Sequence, residues 1–455
     1  LRRVTIDLTG RLPTEDEIET FERESVAARR GRLVDRLMMS DAFVDYWTYK
    51  FATWLRISSQ PKDPTSIQVY HRWLREQIAG RVGYDKIARE LLTASGDTHV
   101  NGAANFYRTH SNPRLQAEFA SELFMGARVR CANCHNHPLD RWTQDDYHGL
   151  AAIFAKVRVG RVIAENAGGK VVHPRTGDEA VPRIPGQHFL QPTDDPRAEY
   201  ANWLTTGKNP FFAKAMVNRL WQAMMGRGLV EPVDDLRDTN PATHPELLDE
   251  LAADFVDGGF QFRDVLRRIA LSDAYGRSGE QRAGASSVDH FYSHFRSRSL
   301  PPEVLADAIS DVLGVPERYG DLPLGTRAVT LVDPKTPSQS LDVLGRCSRE
   351  GSCESETAGA ATGGLPRKLH LLNGRLINER LKSAEGRLAT LVNSGASTGV
   401  IVRTFYQAAL TREPSQDEQA YWQQELASDQ EPERSAMLED FVWSLLTSNE
   451  FMTNH

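Results

Sequence analysis

Apolar residues return at helical spacing along most of this chain, and that period decides what it can fold into. Between Leu33 and Ile57 the positions Leu33, Leu37, Phe43, Trp47, Phe51, Trp54 and Leu55 fall on one helical stripe. They predict one helix, or two that part near Ser40, with the aromatics filling a core. Thr14 and Glu17 form a T-x-x-E capping box leading into Ile18 and Phe21, and Thr143-Gln144-Asp145-Asp146 reads as a second N-cap before Tyr147, Leu150, Ile153 and Phe154. Helical patterns also start at Val69 and cover 84–92, 115–124, 211–225, 245–256, 262–271 and 301–313. Others follow over 369–381, 401–410, 417–426 and 435–446, whereas Leu1 to Gly10 reads only as a short mixed run.

The period breaks between Gly160 and Pro196, where Gly and Pro crowd around two β-prone runs. Val162–Glu165 and Lys170–His173 flank Asn166-Ala167-Gly168-Gly169, a hairpin signal. The expected fold class is therefore mainly α, two helical domains joined by a small β-hairpin and linker segment. The boundaries read as 1–160, 161–196 and 197–455, with mobile loops near 314–364 that include the small-residue run 357–364. A length of 455 residues fits about two to four domains. The net charge of −7 indicates neither a nucleic-acid footprint nor a polybasic membrane surface, and no apolar run approaches the length of a transmembrane segment. Leu1 is not an initiator Met, so the chain reads as the inside of a longer one and any targeting segment is not legible.

The chemistry concentrates at Cys131-Ala132-Asn133-Cys134-His135-Asn136-His137-Pro138, followed by Leu139-Asp140-Arg141-Trp142. C-x-x-C-H is the attachment pattern of c-type haem: two thiols close thioethers with the porphyrin vinyls, and the next His gives iron an axial nitrogen. On a helical turn, positions three apart share a face, so both sulfurs meet one porphyrin edge. The expected cofactor is haem c, held by Cys131 and Cys134 with His135 as proximal ligand. Because His137 adds a fourth donor, a Zn or non-haem Fe site on Cys131, Cys134, His135 and His137 is the alternative, and a disulfide or two inert thiols a third. His110, in the loop before the helix that bears the motif, is the first candidate for a distal metal ligand. Arg128, Arg130 and Arg141 surround the motif as candidate propionate partners, or as partners of Asp140, Asp145 and Asp146. Cys347 and Cys353 are close enough for a local disulfide, and His290 and His294 stand at i, i+4 spacing on what reads as helix surface. There is no G-x-S-x-G, G-x-x-x-x-G-K-[ST] or H-E-x-x-H pattern, so hydrolase and nucleotide-driven readings lack support.

Longer phrases carry a resemblance. Leu1 to Gly10, and Cys131 through Trp142 with Thr143-Gln144-Asp145-Asp146-Tyr147, resemble the first of two tandem domains of unknown function in planctomycete cytochrome-c-associated proteins. Asn209 to Ala213, Val217 to Trp221, Gly226 to Val230 and Leu369 to Gly374 resemble the second. The resemblance implies a periplasmic or secreted protein. The Cys347/Cys353 pair departs from the C-x-C clustering more common in that group. Together these readings lead to an extracytoplasmic c-type haem protein, an electron carrier or haem-dependent redox enzyme with a redox partner protein or small-molecule substrate. The alternatives are a non-haem Cys/His metal enzyme and a secreted interaction module with local disulfides.

Overall fold

A computed structural model describes all residues except 61–62, 193–194, 280–290, 352, 354–370, 372–373 and 428–432. The expected loop at 357–364, the phrase 369–374 in large part, and His290 lie outside the described residues. The architecture is mainly helical. Its first half carries α1 (Arg2–Thr9), α2 (Glu15–Arg23), α3 (Val26–Met38), α4 (Asp41–Trp54), α5 (Pro64–Ala79), α6 (Tyr84–Thr93), α7 (Pro113–Ala120) and α8 (Gln144–Ala155). The second carries α9 (Pro196–Leu204), α10 (Phe212–Met225), α11 (Pro245–Asp257), α12 (Phe262–Leu271) and α13 (Pro302–Leu313), with further helices that include Thr398–Leu410 and Glu433–Leu446.

Local chemistry accounts for the boundaries. Thr14 caps α2 in a full capping box with Glu17, and Thr143 caps α8 in one with Asp146. The stripe from Leu33 to Ile57 splits into α3 and α4 because the Ser40 hydroxyl accepts the amide of Phe43 and starts a new helix. Residues 1–10 are helical rather than mixed, and α1 stops at Gly10 in the left-handed region, φ 62°.

The hairpin forms with a different partner from the one the spacing suggests. β3 (Val162–Glu165) pairs antiparallel with β2 (Val157–Arg158), matching Val157 to Glu165, and on its other edge with β1 (Gly96–Asp97). Lys170–His173 instead runs beside 178–180: Val172 bridges Glu179, and the Ala180 amide donates to the Val171 carbonyl at 2.8 Å. The short loop 159–161 closes the hairpin, so the Gly-rich run 166–169 leads away from it.

The core is continuous from one half of the chain to the other. Phe43, Trp47 and Phe51 of α4 pack on Phe262 of α12, and Tyr84 of α6 stacks on Phe212 of α10 at 4.8 Å between centroids. Each buried aromatic of this kind removes 150–250 Å² from water, roughly, and the pairs add specificity of orientation. The junction is therefore a packed interior. No described helix is long and apolar enough to cross a membrane.

Candidate functional site

The cysteine turn is held from both sides. α7, capped by the Asn112 side chain, runs into one π turn, Ser121–Met125, which ends at Gly126 with φ 59°. A Cβ at Gly126 would stand 2.4 Å from Leu236 Cδ1, so any larger residue would force that leucine to shift; the Leu236 amide also donates to the Gly126 carbonyl at 2.7 Å. Four residues later a 3₁₀ turn, Arg130–Asn133, carries Cys131, with Cys134 at its C-cap. Side chains three apart nearly eclipse in 3₁₀ geometry, which directs both sulfurs to the same side. Both cysteines are exposed free thiols, unlike Cys347 and Cys353, which are closed as a disulfide.

Backbone partners fix the tautomers of the two motif histidines in opposite senses. His135 Nδ1 lies 2.8 Å from the Asn136 carbonyl, which only accepts, so Nδ1 carries the proton and, in the neutral ring, Nε2 keeps its lone pair. This exposed ring thus presents a ligating nitrogen to solvent. His137 Nδ1 accepts the Leu139 amide at 3.2 Å, so its neutral form carries the proton on Nε2 and presents a donor. His135 fits the role of metal ligand, and His137 that of hydrogen-bond donor.

The opening of α8 grips the turn from below. Gln144 donates its amide to Asn136 Oδ1 at 3.1 Å and its side chain to the Asn133 carbonyl at 3.4 Å. His148, fully buried, donates Nε2–H to that carbonyl at 3.0 Å. Burial lowers the His148 pKa, and its ring stands 4.8 Å from that of His173, whose Nε2 is 3.1 Å from Asp145 Oδ1. Gln144 and His148 were not singled out from sequence. Their i, i+4 spacing just inside a recognisable N-cap is the signal that finds them.

From the other side comes the loop after α10. Arg128 Nη2 meets Asp234 Oδ1 at 2.7 Å, Arg141 Nη2 meets Asp238 Oδ1 at 2.7 Å, and Thr239 donates to the Leu139 carbonyl at 2.9 Å. Arg141 also lies over the Phe211 ring. Arg130 is exposed and has no ion pair among the described residues. His110 is held by Phe119 and by Arg56, whose Nη1 donates to its Nε2 at 3.3 Å. To serve as a distal ligand through Nε2, His110 would first have to give up Arg56. Among the described residues no three His, Cys, Asp or Glu side chains stand around a common metal position.

Comparison with known families matches residues 1–159 to PSCyt2, a protein of unknown function (DUF1549), and residues 196–426, just over half of the chain, to PSD1, a protein of unknown function (DUF1553). Neither match covers 160–195, the segment that supplies β3 and His173. No curated protein and no solved structure matches the chain. The clamp described above thus joins two family segments, the cysteine turn from the first and Asp234, Asp238 and Thr239 from the second, and the chain belongs to the PSD1 (DUF1553) family with a PSCyt2 (DUF1549) domain in tandem.

Proposed function

We propose that the protein binds haem c covalently through Cys131 and Cys134, with His135 Nε2 as proximal ligand, and that it moves electrons outside the cytoplasm. The observation that carries this reading is the donor set: two exposed free thiols, one on a 3₁₀ turn and one at its C-cap, followed by an exposed histidine whose Nδ1 is engaged by a backbone carbonyl so that Nε2 is the nitrogen left outward. When bound, haem supplies iron that changes oxidation state by one electron.

The chain's own residues do the positioning. Gln144 and His148 hold the Asn133 carbonyl between the two thiols, and the Asn136 carbonyl orients the His135 ring, as partners of metal-ligating histidines commonly do. Arg130 is the propionate partner this account favours, because Arg128 and Arg141 are engaged by aspartates. Exposure of Cys131, Cys134 and His135 suits electron exchange with a partner protein better than sequestered oxygen chemistry. The Cys347–Cys353 disulfide supports an oxidising compartment, periplasmic or secreted.

The Zn or non-haem Fe alternative needs His137 as a ligand. Its Nδ1 already accepts a backbone amide, which weighs against that role. Replacing His135 tests the reading: His135→Ala in protein from a haem-maturing host should keep the thioether-linked mass but shift the visible bands of a histidine-ligated haem. Visible bands identical to wild type would remove His135 from the iron and overturn the assignment.

A further inference from the structure

Arg349 is a cation seated where its hydration is lost. It stands two residues after Cys347 with φ 58°, a region that residues other than glycine rarely occupy, and it is 4 % exposed. Its Nη1 donates to the carbonyls of Ile57 and Val332, 3.1 Å from each, and its guanidinium carbon lies 5.7 Å from the centroid of the Tyr49 ring. Ile57 and Tyr49 belong to the first family segment, Val332 and Arg349 to the second, so one side chain crosses the seam between them. Among the described residues no carboxylate pairs with it directly: Glu303 is reached through Tyr49, whose hydroxyl donates to Glu303 Oε2 at 2.9 Å. Burial pulls the Arg349 pKa down, and Tyr49, Glu303 and Asp333 oppose that pull. A desolvated charge on an unfavourable backbone needs a restraint to keep it in place.

The Cys347–Cys353 disulfide supplies one. It joins cysteines six residues apart on either side of Arg349, and the Arg349 amide donates to Cys347 Sγ at 3.2 Å. A loop this short removes little entropy from the unfolded chain, so the bond acts on the residues it encloses more than on global stability. Cys347 is partly exposed and Cys353 buried, which makes Cys347 Sγ the sulfur that a thiolate reaches.

We propose that the Cys347–Cys353 disulfide is a reducible latch, opened by a dithiol reductant, which keeps Arg349 seated across the seam and lets it withdraw to solvent when broken. A reductant thiolate attacks Cys347 Sγ, and the S–S electron pair leaves on Cys353 Sγ, which takes a proton from solvent. The second thiol of the reductant then displaces Cys347 from the mixed disulfide. The reductant ends as its own disulfide, and two electrons and two protons end on Cys347 and Cys353. The latch uses neither Cys131 nor Cys134 and stands independently of the haem reading.

His71 reports on the seat, because burial first, then Arg349 and Arg75, hold its pKa down at about 4. The experiment adds dithiothreitol to Cys131→Ala/Cys134→Ala protein, in which Cys347 and Cys353 are the remaining cysteines, and follows thiol content together with the NMR titration of His71. The expected result is two new thiols in protein that still unfolds cooperatively, with His71 moving up from about 4 toward 6.5. In oxidised Arg349→Gln protein His71 should already titrate at the raised value, and reduction should move it no further. Cys347→Ser/Cys353→Ser should reproduce the reduced state without reductant. A folded protein whose disulfide resists dithiothreitol, reduction that unfolds the chain, or reduction that leaves the His71 titration in place would each overturn the proposal.

Discussion

Arg128 Nη2 and Asp234 Oδ1 stand 2.7 Å apart, and through that contact the second family segment holds the approach to the cysteine turn. Asp234 is the buried partner, its side chain 5 % exposed against 39 % for Arg128. Removing the arginine leaves a buried carboxylate without its principal cation. Arg128→Ala should therefore cost about 2 kcal/mol in urea unfolding, and Asp234→Asn less, because the amide needs no countercharge.

Gly126 makes the next prediction sharp. Its φ of 59° is one that alanine tolerates poorly, and its Cβ would collide with Leu236 Cδ1 at 2.4 Å. Gly126→Ala should lower stability by roughly 1–3 kcal/mol, and adding Leu236→Ala should remove the collision but keep the backbone strain. A double variant that is merely the sum of the two single losses would contradict this cause.

His148 should matter beyond packing. His148→Ala removes a buried donor from the Asn133 carbonyl and is expected to cost about 1–2 kcal/mol. His148→Gln keeps an amide donor of reach similar to Nε2. Under the haem reading, the yield of covalent attachment should fall in the alanine variant and recover in the glutamine variant.

Acid should destabilise the fold in a defined window. His71 and His110 are each pushed down from 6.5 to about 4, mainly by burial, with Arg349 and Arg75 acting on His71 and Arg56 on His110. Their folded values lie below their unfolded ones, so the unfolded chain takes up protons first. This part of the stability is complete above pH 6.5 and is lost as pH falls toward 4. The loss per histidine is on the order of 2 kcal/mol after allowance for partial solvent screening. His71→Gln should flatten the pH dependence of chemical denaturation between those limits; an unchanged slope would refute the assignment.

These residues also mark how far the sequence could be read. Thr14, Ser40 and Thr143 announce their helices through local hydrogen bonds, and local bonds are what a linear pattern records. α1 escaped because it buries Arg2, Thr5, Asp7 and Thr9 alongside Val4, Ile6 and Leu8, which blurs the apolar period. Arg2 donates to the carbonyls of Phe451 and Thr453, while Asp7 accepts from Tyr275 and Asn454, partners hundreds of residues away. The pairing of β3 with β1 was equally hidden, since register between Gly96 and Ile163 is decided by the packing of helices between them. At the cysteine turn the donors were legible from spacing. The opposite tautomers of His135 and His137 were not, because they depend on which backbone group each Nδ1 meets. The contact between Arg56 and His110 was beyond reach for the same reason as α1: its parts come from separate segments.

Covalent haem at the cysteine turn is decided by the intact mass of the denatured protein, purified from its native or a haem-maturing host. The expected result is a mass increase of one haem that vanishes in Cys131→Ala/Cys134→Ala, accompanied by loss of the visible absorption. An unmodified mass in colourless protein from a competent host would contradict it.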